Sequence, residues 1–173
     1  MLRTQPLETY DAWVSNDIPF TDPAVVNAIE TFGSFALNED YTGMSGAEVV
    51  QTDFRDAPDG VFELPPECLM HRQASFIPTF FPEDAEFDFF YFPAFADEDL
   101  GSPVLGAGTV WAITDDNDAA RAFIDFMKTP ISHEIWMAQS GFLTPHKGVN
   151  TDLYADDTLK GMGEILLEAT SFR

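Results

Sequence analysis

The stretch Gly101–Ile113, GSPVLGAGTVWAI, decides how the rest of the chain is read. It opens on the turn signal Gly101-Ser102-Pro103, continues as an apolar run broken by Gly106 and Gly108, and ends at the acidic cluster Thr114-Asp115-Asp116-Asn117-Asp118. A glycine inside a strand has no side chain to pack and marks a bulge, a bend or a close backbone approach. Two glycines one residue apart, directly before a helix start, predict a backbone that bends near a cleft. A buried strand with small residues under a packed helix accounts for the same spacing. A nucleotide loop fits poorly, because Gly106-Ala107-Gly108 followed by Thr109-Val110-Trp111 has neither the third glycine nor the lysine that such loops need.

Downstream of this stretch, Asp116 or Asn117 starts a helix with Ala119, Ala120, Phe123, Phe126 and Met127 facing inward. Thr129-Pro130 starts another, with Ile131, Ile135 and Trp136 on its apolar face and Gly141 closing it. Phe142–Thr151 reads as a loop, and Asp156/Asp157 cap a last helix through Leu159, Met162, Ile165, Leu166 and Ala169. Upstream, Cys68–Arg72 reads as a strand, and Phe87–Phe95, FDFFYFPAF, as an aromatic strand that leaves the sheet at Pro93. Pro6–Ser15 spaces Leu7, Tyr10 and Val14 as a short helix. Thr21-Asp22-Pro23 places a capping side chain before a proline at the first helical position; the face that follows is Val25, Ile29, Phe32 and Phe35/Ala36. Asn38–Gly46 reads as a loop. Between Ser45 and Phe62 two helix starts compete: Ser45-Gly46-Ala47-Glu48 has the form of a capping box, and Asp56-Ala57-Pro58 begins a short helix. The second is preferred, because Pro58 would break a helix begun at Ser45. Helices, then strands with short helices, then three helices predict an α/β fold with the three strand segments in one sheet.

The chain of 173 residues is long enough for one core-bearing domain, and it carries 30 acidic against 8 basic residues, a net charge of -22. Such a surface excludes nucleic acid and anionic membranes as partners. Disorder is excluded in turn by the 45% hydrophobic and 14% aromatic content, so the reading is a folded core under an acidic skin that aids solubility in salt-rich or secreted settings. The single Cys68 cannot form an internal disulfide. No apolar run approaches bilayer length, and Met1–Pro6 has no apolar h-region. Both ends read as cuts through a longer chain.

No metal or cofactor is expected. His71, His133 and His146 stand on three elements without ligand spacing, and the Asp115–Asp118 cluster lacks the alternation, glycine and distal glutamate of a calcium loop. Those acids are expected at a helix N-terminus, where they complement the dipole. No serine sits in a nucleophile elbow, and Cys68 has only His71 or Arg72 nearby to lower its pKa. Trp111 and Trp136, both on apolar patterns, are expected in the core.

Four blocks together resemble the extracellular solute-binding proteins (family 1) of carbohydrate ABC transporters, of the alpha-glucoside and maltose type. TYDAWVSNDIPFTDPAVVNAIETF (Thr9–Phe32) is similar to the family's cross-lobe helix region, and PPECLMHRQASFI (Pro65–Ile77) to its strand entering the cleft. VLGAGTVWAITDDNDAARAFIDFM (Val104–Met127) resembles the returning hinge strand and following helix, and SGFLTPHKGV (Ser140–Val149) the family's Leu-Ser-Pro-His-Lys loop, with Phe142 and Thr144 departing from it. The resemblance implies a periplasmic-binding-protein-like (type II) fold. Residues 1–173 would form a single α/β lobe with a mixed sheet flanked by helices, most of the second lobe of a two-lobe trap, truncated at both ends. It implies a periplasmic or extracellular protein that captures a sugar of the alpha-glucoside, maltose or trehalose kind for uptake. No catalysis is involved, and the partners are membrane permease subunits, with no direct insertion into the membrane. Substrate-binding residues on this resemblance are Gln73, Ser75 and Phe76 at the strand-to-helix entry, and Gly108 and Thr109 at the bend, with Arg72 beside them. Two readings of other classes remain: a carbohydrate-active hydrolase fragment using two of the many carboxylates, and an acidic stand-alone interaction domain.

Overall fold

The computed structural model describes residues 1–95, 99–139 and 141–173. It is α/β, the class expected, with a small parallel sheet flanked by helices. The chain gathers into two compact units, one of Met1–Gln73 with Phe80–Pro103 and one of Ala74–Thr79 with Val104–Arg173.

In the first unit, helix α1 (Leu7–Val14) follows Pro6, and α2 (Pro23–Ala36) starts where a capping side chain meets a proline. The Asp22 carboxylate accepts the Ala24 N–H at 2.9 Å, and Pro23 fills a position whose N–H has no helical partner. The buried stripe of α2 is Val25, Ala28 and Ala36, whereas Ile29 and Phe32 are exposed. Val25 and Ala36 of the expected face are therefore inside, joined by Ala28, while Phe32 of the same face meets the Phe35 ring edge-on at 5.4 Å. The predicted loop Asn38–Gly46 holds a helical turn, and the less favoured helix start at Ser45 also forms. Asn38 caps the single turn α3 (Glu39–Thr42), which Gly43 ends at φ +68°. Helix α4 (Gly46–Gln51) has a complete capping box, with Ser45 and Glu48 satisfying each other's backbone N–H. It stops at Thr52, well short of Pro58, so the conflict that favoured the later start does not arise; α5 (Asp59–Phe62) forms as well.

Neither Cys68–Arg72 nor Phe87–Phe95 forms a strand. The Glu67 and Cys68 N–H groups both donate to the Gly60 carbonyl, closing a turn in place of a ladder. The aromatic run packs ring against ring: Phe81 meets Phe87 edge-on at 4.9 Å, and Phe92 meets Phe95 at a tilt at 5.8 Å. Arg3 anchors this unit, donating to the Gly101 carbonyl at 3.0 Å and lying 5.0 Å over the Tyr91 ring.

Strand β1 (Pro103–Val104) pairs with β2 (Ser171–Phe172), the hydrogen bonds lying within the second unit. Arg173 N–H donates to the Val104 carbonyl and Gly106 N–H to the Arg173 carbonyl, the offset of a parallel ladder. The strand expected within Gly101–Ile113 thus ladders only at its start. A Cβ on Gly106 would fall 2.1 Å from the Phe172 ring, whereas one on Gly108 would meet nothing within 4 Å. Close approach explains the first glycine alone. Helix α6 (Asp118–Met127) is capped by Asn117, whose Oδ1 accepts the Ala120 N–H at 2.9 Å. The acidic cluster is a helix start, as expected. Helix α7 (Pro130–Met137) buries Ser132 and Met137 rather than Ile131, Ile135 and Trp136. Helix α8 (Asp157–Glu168) begins at Asp156, whose carboxylate accepts the Leu159 N–H at 2.7 Å. Met137, Tyr154 and Leu159 form the core of this unit, with Phe142, Leu143 and Val149 packed on it. Trp111 and Trp136 are exposed at 50% and 39%, which corrects their expected place in the core.

Candidate binding surface

The five residues marked by the resemblance divide between the units. Gln73 closes the first unit and is half-buried; Ser75, Phe76, Gly108 and Thr109 belong to the second. Ser75 and Phe76 sit on a tight turn leading into the 3-10 helix Ile77–Phe80. Ile77 N–H donates to the Ala74 carbonyl, Thr79 N–H to the Phe76 carbonyl, and the Thr79 hydroxyl to that same carbonyl at 2.8 Å. Ile77, buried, fixes the turn from below, and the Phe76 ring is left 41% exposed above it. Arg72 is exposed at the end of the first segment.

Gly108 and Thr109 lie in an exposed segment without regular secondary structure. Beyond them, Trp111 meets Phe123 of α6 edge-on at 5.3 Å. A groove of about 390 Å³ runs between residues 111–117 and the start of α6. A second, smaller groove of about 270 Å³ lies between Pro145, Lys147, Leu166 and Phe172.

The loop between α7 and α8 is built on Thr144, which sequence reading treated only as a departure from the family pattern. Thr144 is fully buried. Its hydroxyl lies 2.7 Å from His133 Nδ1 and accepts the His146 N–H at 3.1 Å, while its own N–H donates to the Tyr154 hydroxyl at 3.2 Å. His146 Nδ1 in turn accepts the Gly148 N–H at 3.0 Å. Phe142, the other departure, stacks on Trp136 with centroids 4.3 Å apart and planes 8° from parallel. Burial raises the Tyr154 phenol above its ordinary value, and the bond from Thr144 works against that rise. A buried threonine between two histidines of distant sequence position has no periodic signal; the Pro145-His146-Lys147 turn beside it is the nearest one. Ser140, which opens the loop motif, lies outside the described residues.

Chemistry elsewhere is muted. Burial and the Glu67 carboxylate push the Cys68 thiol up, away from the thiolate a nucleophile needs. Burial pushes the His71 imidazole down. Among the described residues no three or more His, Cys, Asp or Glu side chains gather where they could hold a metal.

Comparison with known proteins adds descent to this geometry. The chain is 59% identical, over an alignment of 178 residues, to the alpha-glucosides-binding periplasmic protein AglE of Rhizobium meliloti, and all of it is matched. Over an alignment of the same length it is 38% identical to the osmoprotective compounds-binding protein GgtB of Synechocystis. The chain is thus similar over its whole length to two solute-binding proteins. It spans about two fifths of their length, 39% of the first and 42% of the second. No family model matches the chain, and no solved structure does.

Proposed function

We propose that the chain is part of the substrate-binding component of an ABC transporter. On this reading it captures an alpha-glucoside-type sugar in the periplasm and delivers it to membrane permease subunits without catalysis. The observation that carries the proposal is the 59% identity, extending over the whole chain, to a periplasmic protein named for binding alpha-glucosides. Residues 1–173 would form one lobe of a two-lobe trap closing by hinge motion. Phe76 would offer its exposed ring as a stacking face for a sugar. Gln73, Ser75 and Thr109 would hydrogen-bond hydroxyl groups, and the open backbone at Gly108 would let the ligand approach.

Calorimetric titration with maltose, trehalose and sucrose tests this, using both residues 1–173 and the chain in its natural flanking sequence. One wall of a cleft supplies only part of the contacts and little water exclusion, so the fragment should bind at roughly millimolar levels or weaker. The longer protein should bind tightly, and Phe76→Ala or Gln73→Ala in it should weaken that binding. Micromolar binding by residues 1–173 alone would remove the half-trap reading. Release of reducing sugar from aryl glucosides would replace binding by hydrolysis.

A further inference from the structure

Two imidazoles hold the loop between α7 and α8, and each serves it through Nδ1. His146 Nδ1 accepts the Gly148 N–H at 3.0 Å, and a backbone N–H can only donate. That nitrogen therefore carries no hydrogen, so the ring is neutral with its proton on Nε2, a tautomer assigned from its bonding partner. At His133 the geometry leads the same way. The Thr144 hydroxyl already accepts the His146 N–H at 3.1 Å, and the acceptor facing its own hydrogen is His133 Nδ1 at 2.7 Å. Both rings are half-buried, with centroids 5.2 Å apart. A second proton on either ring lands on Nδ1. There His146 would face the Gly148 N–H and His133 the Thr144 O–H, so each bond is lost as it stands, and two neighbouring cations would also repel.

We propose that His133 and His146 form a pH-sensitive latch, in which proton uptake by the two imidazoles releases the loop of residues 142–150 from α7. Among the described residues neither imidazole is in an ion pair that would favour its charged form. The charged groups on the elements around them are engaged elsewhere or add to the repulsion. Glu134 of α7 accepts the Asn150 N–H at 3.0 Å and so anchors the far end of the same loop. Asp152 pairs with Lys160 of α8, which also lies beside Asp157 and Glu164, and Asp156 caps that helix. Lys147, exposed on the loop, adds a positive charge, and the Tyr154 hydroxyl is occupied by the Thr144 N–H. The latch is closed above the ordinary imidazole range and opens as pH falls through about 6.5. Phe142, whose ring lies 6.1 Å from that of His133 and 4.3 Å from that of Trp136, is released with it. So are Pro145 and Lys147, which line the groove beside Phe172, and the groove changes shape with pH.

Amide hydrogen exchange on the chain in its natural flanking sequence tests the latch, comparing residues 142–150 at about pH 7.5 and about pH 5.5 with the intrinsic exchange rates divided out. Protection in the loop should fall by ~10-fold at the lower pH, while that of α6 stays the same. Asparagine offers an oxygen where Nδ1 stands and takes up no proton. His133→Asn combined with His146→Asn should therefore keep the loop protected at both pH values, and His71→Asn, in the other unit, should leave the wild-type response intact. Loop protection that does not change with pH overturns the proposal. So does a loss shared equally by α6, which is acid unfolding of the whole unit. A loss that persists in the double variant also overturns it, and assigns the effect to the Glu134 carboxylate if Glu134→Gln removes it. Should the double variant fail to fold, the wild-type chain decides alone. The fall in protection must then track the protonation of His133 and His146 read from their ring-proton NMR shifts, and a midpoint that follows neither ring overturns the latch.

Discussion

The hydroxyl of Thr144 lies 2.7 Å from Nδ1 of His133, inside the protein and out of reach of solvent. This contact ties the loop before α8 to helix α7 across eleven residues of sequence. With the His146 N–H donating to the same oxygen, the hydroxyl is engaged from two sides.

Replacing Thr144 by valine keeps the volume and removes the oxygen. His133 and the His146 N–H then lose a buried partner, and the expected cost is about 1–3 kcal/mol. Urea unfolding of Thr144→Val beside Thr144→Ser checks it, because serine retains the hydroxyl and should recover much of the loss. Equal stability of wild type and the valine variant would show that the hub does not hold the loop.

Gly106 and Gly108 should respond differently to alanine. A Cβ at 106 would fall 2.1 Å from the Phe172 ring, so Gly106→Ala must displace that ring from the end of the small sheet. At 108 there is open space, and Gly108→Ala should change stability by less than ~1 kcal/mol, reporting on ligand approach alone. Thermal melts of the two variants decide this, and a larger loss at 108 would contradict the packing described.

The Asp53 carboxyl should titrate near about 2, because Arg55 donates to it from its guanidinium and its backbone N–H. The sign follows from a lowered value. The interaction is fully present above the ordinary carboxylate range near ~3.9 and is lost as pH falls through about 2. Carbon-detected NMR titration reads the midpoint directly. In Arg55→Met the midpoint should rise toward the ordinary range; a midpoint that stays low would assign the shift to something other than the guanidinium.

Salt should stabilise the protein. Four ion pairs are present among the described residues, all with an exposed carboxylate, and such pairs contribute only ~0–1 kcal/mol each. A net charge of -22 imposes repulsion that salt screens beyond about 10 Å at 0.1 M. The melting temperature should therefore climb from low salt to molar potassium chloride. A fall would mean that the ion pairs outweigh the repulsion.

Local grammar carried the helix starts. Asp22, Asn117 and Asp156 each accept an N–H within three residues, and Ser45 with Glu48 closes a capping box over the same distance, although Pro58 argued for the later start. Such bonds need no distant partner, so the sequence alone determines them. The family reading was legible for the same kind of reason: it rests on the order of residues, which the 59% identity registers directly. Ladders and burial belong to another class. Cys68–Arg72 and Phe87–Phe95 have the composition of strands, but a strand exists only against a neighbour, and here their groups bond to Gly60 or pack ring on ring. Periodicity marked the apolar positions of α2 and α7, yet which of them went inside was settled by what faced them: Val25 and Ala36 but not Ile29 or Phe32 of the same face, and Met137 rather than Ile135. Only the tertiary structure could make Gly106, rather than Gly108, the site of close approach, or bring Thr144 between His133 and His146. Both depend on groups far along the chain arriving at one place, and no spacing within a segment encodes that meeting.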